Sequence, residues 1–183
     1  MRFLRLAATG MLSFAVVACA DARDVLGPAD PGLEQQRLAS EASAAAARQV
    51  ETSGDFDAFV DFSTLRLTPR GENCLLEVDG RLVFTGTIEG TATGTTSALV
   101  FPTCEEAATT PPGTHPDVFR SELDFVGTVD GEPVEADLLY MGRVQPGGRI
   151  EGRLIFSNGA AGRLETDGMV AVGGDYQGTI VVR

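Results

Sequence analysis

One triplet recurs along this chain and restricts what it can fold into: a large apolar residue, a gap, glycine, a gap, then an aliphatic residue. It reads Phe125-Gly127-Val129, Tyr140-Gly142-Val144 and Ile150-Gly152-Leu154, with Phe84-Gly86-Ile88 upstream and Tyr176-Gly178-Ile180 near the C-terminus. A spacing of two places the three residues of each triplet on one face of a strand. The opposite face carries charges such as Glu122, Asp124, Glu135, Asp137, Glu151 and Arg153. Apolar inward and charged outward is the pattern of an antiparallel sheet wetted on one side. One helical segment cannot cover so many inward residues, so the sheet must cover itself. The fold class is therefore all-β: a small antiparallel up-and-down barrel of about eight strands, whose closure removes both edges. A two-sheet β-sandwich is the alternative.

Turn chemistry divides the barrel region, residues 55–183. The first strand is expected over Asp55 to Leu67, followed by a turn at Thr68 to Gly71 and a short strand from Cys74 to Val78. Asp79-Gly80 reads as a two-residue hairpin, and Arg81 to Glu89 as the next strand. Glu105 to Asp117 reads as a loop rich in proline and threonine. Asp130 to Pro133 turns the chain, pairing Val129 with Val134 and Leu123 with Tyr140. Gln145 to Arg149 turns it again, pairing Val144 with Ile150 and Gly142 with Gly152. Asn158-Gly159 is a further turn. Short strands are expected at Arg163 to Thr166 and at Met169 to Val172, before the last at Tyr176 to Val182.

Glycine inside a strand weakens it and needs a cause. Curvature of a small barrel is one cause, and a cavity opposite Gly142 and Gly152 is another. The candidate ligand-lining residues are Phe84, Phe125, Tyr140, Gly142, Gly152, Leu154 and Tyr176. Residues 82–182, with their Phe/Tyr-x-Gly strands and closing Tyr176-Gln177-Gly178-Thr179-Ile180, resemble small bacterial barrels of the allene oxide cyclase-like type. The resemblance implies a barrel. The cyclase's catalytic positions do not map onto this sequence, so no activity follows from it.

The N-terminus is of a different kind. Met1 to Arg5 carries two positive charges, and Leu6 to Val17 is apolar and too short to span a bilayer. Val16-Val17-Ala18-Cys19 then resembles the lipobox of bacterial lipoproteins. That resemblance implies cleavage between Ala18 and Cys19, acyl chains such as palmitate on Cys19, and a membrane anchor. Ala20, where an aspartate would signal inner-membrane retention in that family, leans the expectation toward the outer membrane of a bacterial envelope. Residues 1–18 are then a signal peptide and residues 19–54 a lipidated tether. The tether includes a marginal alanine-rich helix from Leu33 to Val50, ended by Gly54.

Composition narrows the partners. The chain of 183 residues has a net charge of −12, and all of its basic residues are arginine. Such an acidic domain would be repelled by nucleic acid, whose binders neutralise phosphates with cations. After lipidation of Cys19, Cys74 and Cys104 remain, and an oxidising compartment favours a disulfide between them. A simple meander with a turn at Asp79-Gly80 would place the two at opposite rims. The one histidine, His115, lies in a loop with no second ligand nearby in sequence, and no metal or cofactor set is implied.

Three functional readings follow. The first is a membrane-anchored envelope lipoprotein with a non-catalytic barrel that binds a small hydrophobic ligand. The second is an isomerase- or cyclase-like enzyme acting on a hydrophobic substrate inside the barrel, using a buried polar group. The third is a filled-core scaffold that contacts other envelope proteins through outward Val126, Leu139, Met141 and Ile155.

Overall fold

A computed structural model describes residues 47–183 of the chain. The lipobox with Cys19 and most of the tether, with most of its alanine-rich segment, lie outside the described residues. The rest is a closed barrel in strict sequence order, each strand antiparallel to the next. Its strands are β1 (Arg48–Arg70), β2 (Asn73–Gly86), β3 (Ile88–Val100), β4 (Asp117–Val129), β5 (Glu132–Val144), β6 (Arg149–Ser157), β7 (Ala160–Met169) and β8 (Gly173–Val182). One short helix, α1 (Cys104–Thr109), sits between β3 and β4. The up-and-down barrel expected from the triplets is the fold observed.

The expected boundaries need four corrections. First, the chain from Arg48 is strand, not the end of a helix, and Gly54 does not break it. Val50, Thr52 and Phe56 are buried in alternation with exposed Glu51 and Asp55, and Arg48–Asp57 pairs with β8. Closing the barrel requires a partner for the β8 edge, and that demand overrides helix propensity. Second, Asp79-Gly80 is not a turn. It lies within β2, where Val78 and Leu82 continue one buried face and Asp79 accepts a hydrogen bond from the Thr95 hydroxyl at 2.7 Å. Gly80 instead pairs with Val60, just before an irregularity in β1 between Asp61 and Arg66. A Cβ on Gly80 would lie 2.6 Å from the carbonyl oxygen of Phe59. Consequently Phe84-Gly86-Ile88 rounds the β2–β3 corner and is not a single strand.

Third, β4 and β5 pair two residues out of the expected step: Leu123 faces Leu138 and Val129 faces Glu132. The turn is the two-residue pair Asp130 (φ 51°) and Gly131 (φ 80°), the left-handed conformation that suits a tight hairpin. A slip of two keeps every side chain on its face, so the inward set survives. The β5–β6 register is as expected, with Tyr140 on Leu154, Gly142 on Gly152 and Val144 on Ile150. Fourth, Met169 to Val172 is not a strand: β7 runs unbroken to Met169 and a turn through Ala171 (φ 57°) leads into β8. The expected loop after Glu105 also contains α1, capped by Thr103, whose side chain accepts from the Glu106 N–H, with Glu105 and Glu106 in its first turn.

The inward glycines have a visible use. They form cross-strand pairs, Gly54 with Gly86, Gly90 with Gly127, and Gly142 with Gly152. An aromatic side chain lies against each pair. A Cβ on Gly54 would come within 2.6 Å of the Tyr176 hydroxyl, one on Gly127 within 2.8 Å of Phe125 Cζ, and one on Gly152 within 2.9 Å of Tyr140 Cε2. Glycine thus lets a ring lie flat on its own sheet.

Candidate functional site

The two ends of the barrel differ. At the end where β1 begins, Phe56, Phe84, Phe125, Phe156 and Tyr176 interlock, with edge-to-face pairs such as Phe84–Phe125 at 5.9 Å and Phe125–Phe156 at 5.4 Å. Tyr176 seals the β2–β3 corner. Its hydroxyl accepts from the Ile88 N–H at 2.9 Å and donates to a carbonyl oxygen, Thr85 at 3.1 Å. This end is filled.

The other end is hollow. A cavity of about 350 Å³ lies inside it, walled by inward residues of several strands and by the α1 segment. That is the size range of small-molecule sites. Strand register orders its wall. At the mouth, one row of partners runs Cys74, Val100, Asp117, Val144, Ile150. Four residues deeper on β4, a second row runs Val78, Thr96, Ser121, Tyr140. The distance between rows along β4 is about 13 Å at strand rise. Phe119 bridges them, its ring 4.9 Å from that of Tyr140.

The Cys104–Asp117 segment covers part of this end and contributes Ala107, Ala108, Pro111 and His115 to the wall. It is held there by a Cys74–Cys104 disulfide, the pairing expected from compartment. The opposite-rim difficulty disappears because β2 does not turn at Asp79. β3 therefore returns to the Cys74 end, where Val100 faces Cys74. The β1–β8 ladder also stops short of this end. β8 begins only at Gly173, so β1 beyond Asp57 has no strand on that side, and Ala58 donates instead to the Val172 carbonyl of the turn at 3.0 Å. Exposed Phe59 and Phe62 flank that gap.

Polar groups in this wall are few. The Thr96 and Ser121 hydroxyls satisfy each other at 2.7 Å. His115 Nε2, Asp117 Oδ1 and the Tyr140 hydroxyl are buried without a protein hydrogen-bond partner, although native structures rarely leave such atoms unmatched. His115 Nε2 lies 3.4 Å from a Glu106 carboxylate oxygen, close enough for charge attraction but without hydrogen-bond geometry. Tyr140 and Thr166 face one another across Gly152, again without a bond of good geometry. Burial pushes the Asp117 carboxyl up to about 6 and the Tyr140 phenol up to about 12, the Asp167 charge adding to the latter.

Of the candidate ligand-lining residues, Tyr140 lines the cavity. Phe84, Phe125, Leu154 and Tyr176 are buried on the inward face but away from its wall, the aromatic three within the filled end. Gly152 seats the Tyr140 ring, and Gly142 is its cross-strand partner. Sequence reasoning missed Asp117, His115 and Phe119 as wall residues. The signal was present: Asp117, Phe119, Ser121, Leu123 and Phe125 keep the spacing of two, so the inward face of β4 begins with an acid. The lipidation site Cys19 and its cleavage neighbour Ala18 lie outside the described residues.

Fold and site together define a closed eight-stranded barrel, filled at one end and carrying a mainly apolar cavity at the other. No family model matches the chain, and no curated protein does. Among solved structures it is similar to a protein of unknown function from the DUF3224 family of Shewanella oneidensis. Identity is 15% and the TM-score 0.48, with 74% of this chain and 98% of that one covered. At that distance the likeness carries no argument about activity.

Proposed function

We propose that this protein is a bacterial envelope lipoprotein, anchored through lipid on Cys19, whose barrel is a non-catalytic module binding a small hydrophobic molecule. The observation that carries the reading is the one-ended cavity, walled mainly by apolar side chains. The lipobox resemblance at Val16 to Cys19 supports the anchor, and Ala20 supports the outer membrane. The cavity also counts against a filled-core scaffold.

The enzyme reading draws on one observation. Asp117 is an inward carboxylate with a raised pKa, and His115 lies two residues before it in the same wall. A shifted acid in a cleft is a recognised mark of catalysis, though structural groups show it too.

Native mass spectrometry of the folded protein, extracted from its own membrane, tests the proposal. The expected spectrum shows an N-terminus at Cys19 bearing acyl chains, and a lipophilic molecule released only on unfolding. An N-terminus at Met1, or a barrel that repeatedly carries and takes up no lipophile, would overturn it. A lipophile returned chemically changed by the wild type but not by Asp117→Asn would move the balance to the enzyme.

A further inference from the structure

We propose that the occupant of this cavity is an amphiphile with a primary ammonium at one end, seated on the Asp117 carboxylate, its apolar body reaching toward Tyr140. The inference rests on the binding reading above and specifies the chemistry of its ligand.

Three observations lead to it. The first is the arrangement of the wall. In the mouth row Asp117 stands among Cys74, Val100, Val144 and Ile150, all buried and apolar. Among the strand residues at this level polarity is therefore concentrated at one point, and Phe119 and Tyr140 continue an apolar path below it.

The second is the sign of the charge. The elements packed around Asp117 are β3, β5 and the α1 segment. β3 and β5 present Val100 and Val144 as its partners. The α1 segment brings Glu106 and His115, with His115 Nε2 turned toward Glu106 at 3.4 Å. A protonated His115 is thus already faced by a carboxylate. Among the described residues, the one arginine of the cavity wall is Arg81, and its guanidinium stacks over Phe59 at 4.5 Å. Arg81 is level with Thr93 and Asp124, seven residues along β4 from Asp117. An anionic head at this level would meet the Asp117 carboxylate and no arginine of the cavity wall, since Arg143 and Arg149, beside Val144 and Ile150, are exposed on the outer face. An alcohol would donate one bond to the Asp117 carboxylate. An ammonium would donate a bond to the same acceptor and add the attraction of opposite full charges, in a shielded site where screening is weak.

The third is size. A volume of about 350 Å³ holds about a dozen non-hydrogen atoms at the ~30 Å³ share of a water molecule. The raised Asp117 pKa agrees with an acid whose counter-charge comes from a ligand, since a cation beside it would draw the value down again.

Calorimetric titration of the folded protein at neutral pH with decylammonium and decanoate, each below its micelle concentration, and with 1-decanol below its solubility limit, tests this. Decylammonium is expected to bind about tenfold tighter than 1-decanol, with decanoate weakest. In Asp117→Asn the preference for ammonium should vanish while 1-decanol binding persists, which also shows that the variant is folded and that the preference is not general attraction to an acidic surface. Decanoate or 1-decanol binding as tightly as decylammonium, or an ammonium preference that survives in Asp117→Asn, would overturn the head-group assignment and leave the binding module standing. Failure of all three to bind would overturn both.

Discussion

Replacing Cys74 and Cys104 together with alanine is expected to lower the stability of the barrel by about 3–4 kcal/mol. The two residues are separated by 30 positions, and releasing a loop of that length returns this much entropy to the unfolded chain in the loop-closure picture. The loss should not be uniform over the structure. Without the disulfide, the segment covering the hollow end keeps two backbone tethers: Phe101 N–H to the Pro116 carbonyl at 3.2 Å, and Gly147 N–H to the Gly113 carbonyl at 3.0 Å. Ala107, Ala108 and Thr110 lie between them and form cavity wall. Hydrogen exchange should therefore quicken first across residues 101–116, and ligand affinity should fall with it. Denaturant melts of the oxidised wild type, the reduced wild type and the double variant make the check. The last two should coincide. Equal stability of all three would show that the disulfide closes a loop already closed by other contacts.

The second expectation concerns Asp117 and pH. Burial raises its carboxyl from 3.8 in the unfolded chain to about 6 in the barrel. Between those values the folded protein holds a proton that the unfolded chain has released. The stability from this group is therefore complete below about pH 4, declines as pH rises toward 6, and is absent above that. At about 1.4 kcal/mol per unit the upper bound is about 3 kcal/mol. Allowing for solvent reaching this half-buried side chain reduces it to about 1–2 kcal/mol. Asp117→Asn removes the ionisation, so the variant should exceed the wild type by about that amount at neutral pH. The gain should shrink toward zero on acidification. A variant less stable than the wild type at neutral pH would mean that the carboxylate makes a stabilising contact in the barrel. A gain independent of pH would mean that its burial is not what matters.

The inward faces of the central strands were legible in the sequence and the hollow end was not, for a physical reason. On those faces each position is decided locally. Phe125 faces inward because its neighbours two away do, and Gly90 and Gly127 are glycine because the Phe125 ring lies on them. Spacing alone reports that. The hollow end depends on how distant segments meet. Asp79-Gly80 carries the local chemistry of a hairpin, yet the run from Cys74 to Phe84 pairs continuously with β3. That continuity brings Cys74 beside Cys104. Misplacing the turn there displaced both the disulfide and the wall.

The β4–β5 register shows which errors matter. It was out by two residues and cost nothing at the level of faces, since Leu123 and Tyr140 both point inward in either step. Asp117 was lost differently. Its parity with Phe119 and Ser121 placed it inward, but an acid next to a proline-rich loop is ordinarily part of that loop. Only the segment folding back over the mouth makes it a wall residue.

Amide chemical-shift mapping during titration with 1-decanol tests the central claim, a barrel hollow at one end only, most directly. The expected shifts fall on Asp117, Phe119, Ser121, Tyr140, Val144 and Ile150, while Phe84, Phe125, Tyr176 and Ile180 stay still. Shifts centred on the second group, or a ligand bound on the outer face with the first group unmoved, would contradict it.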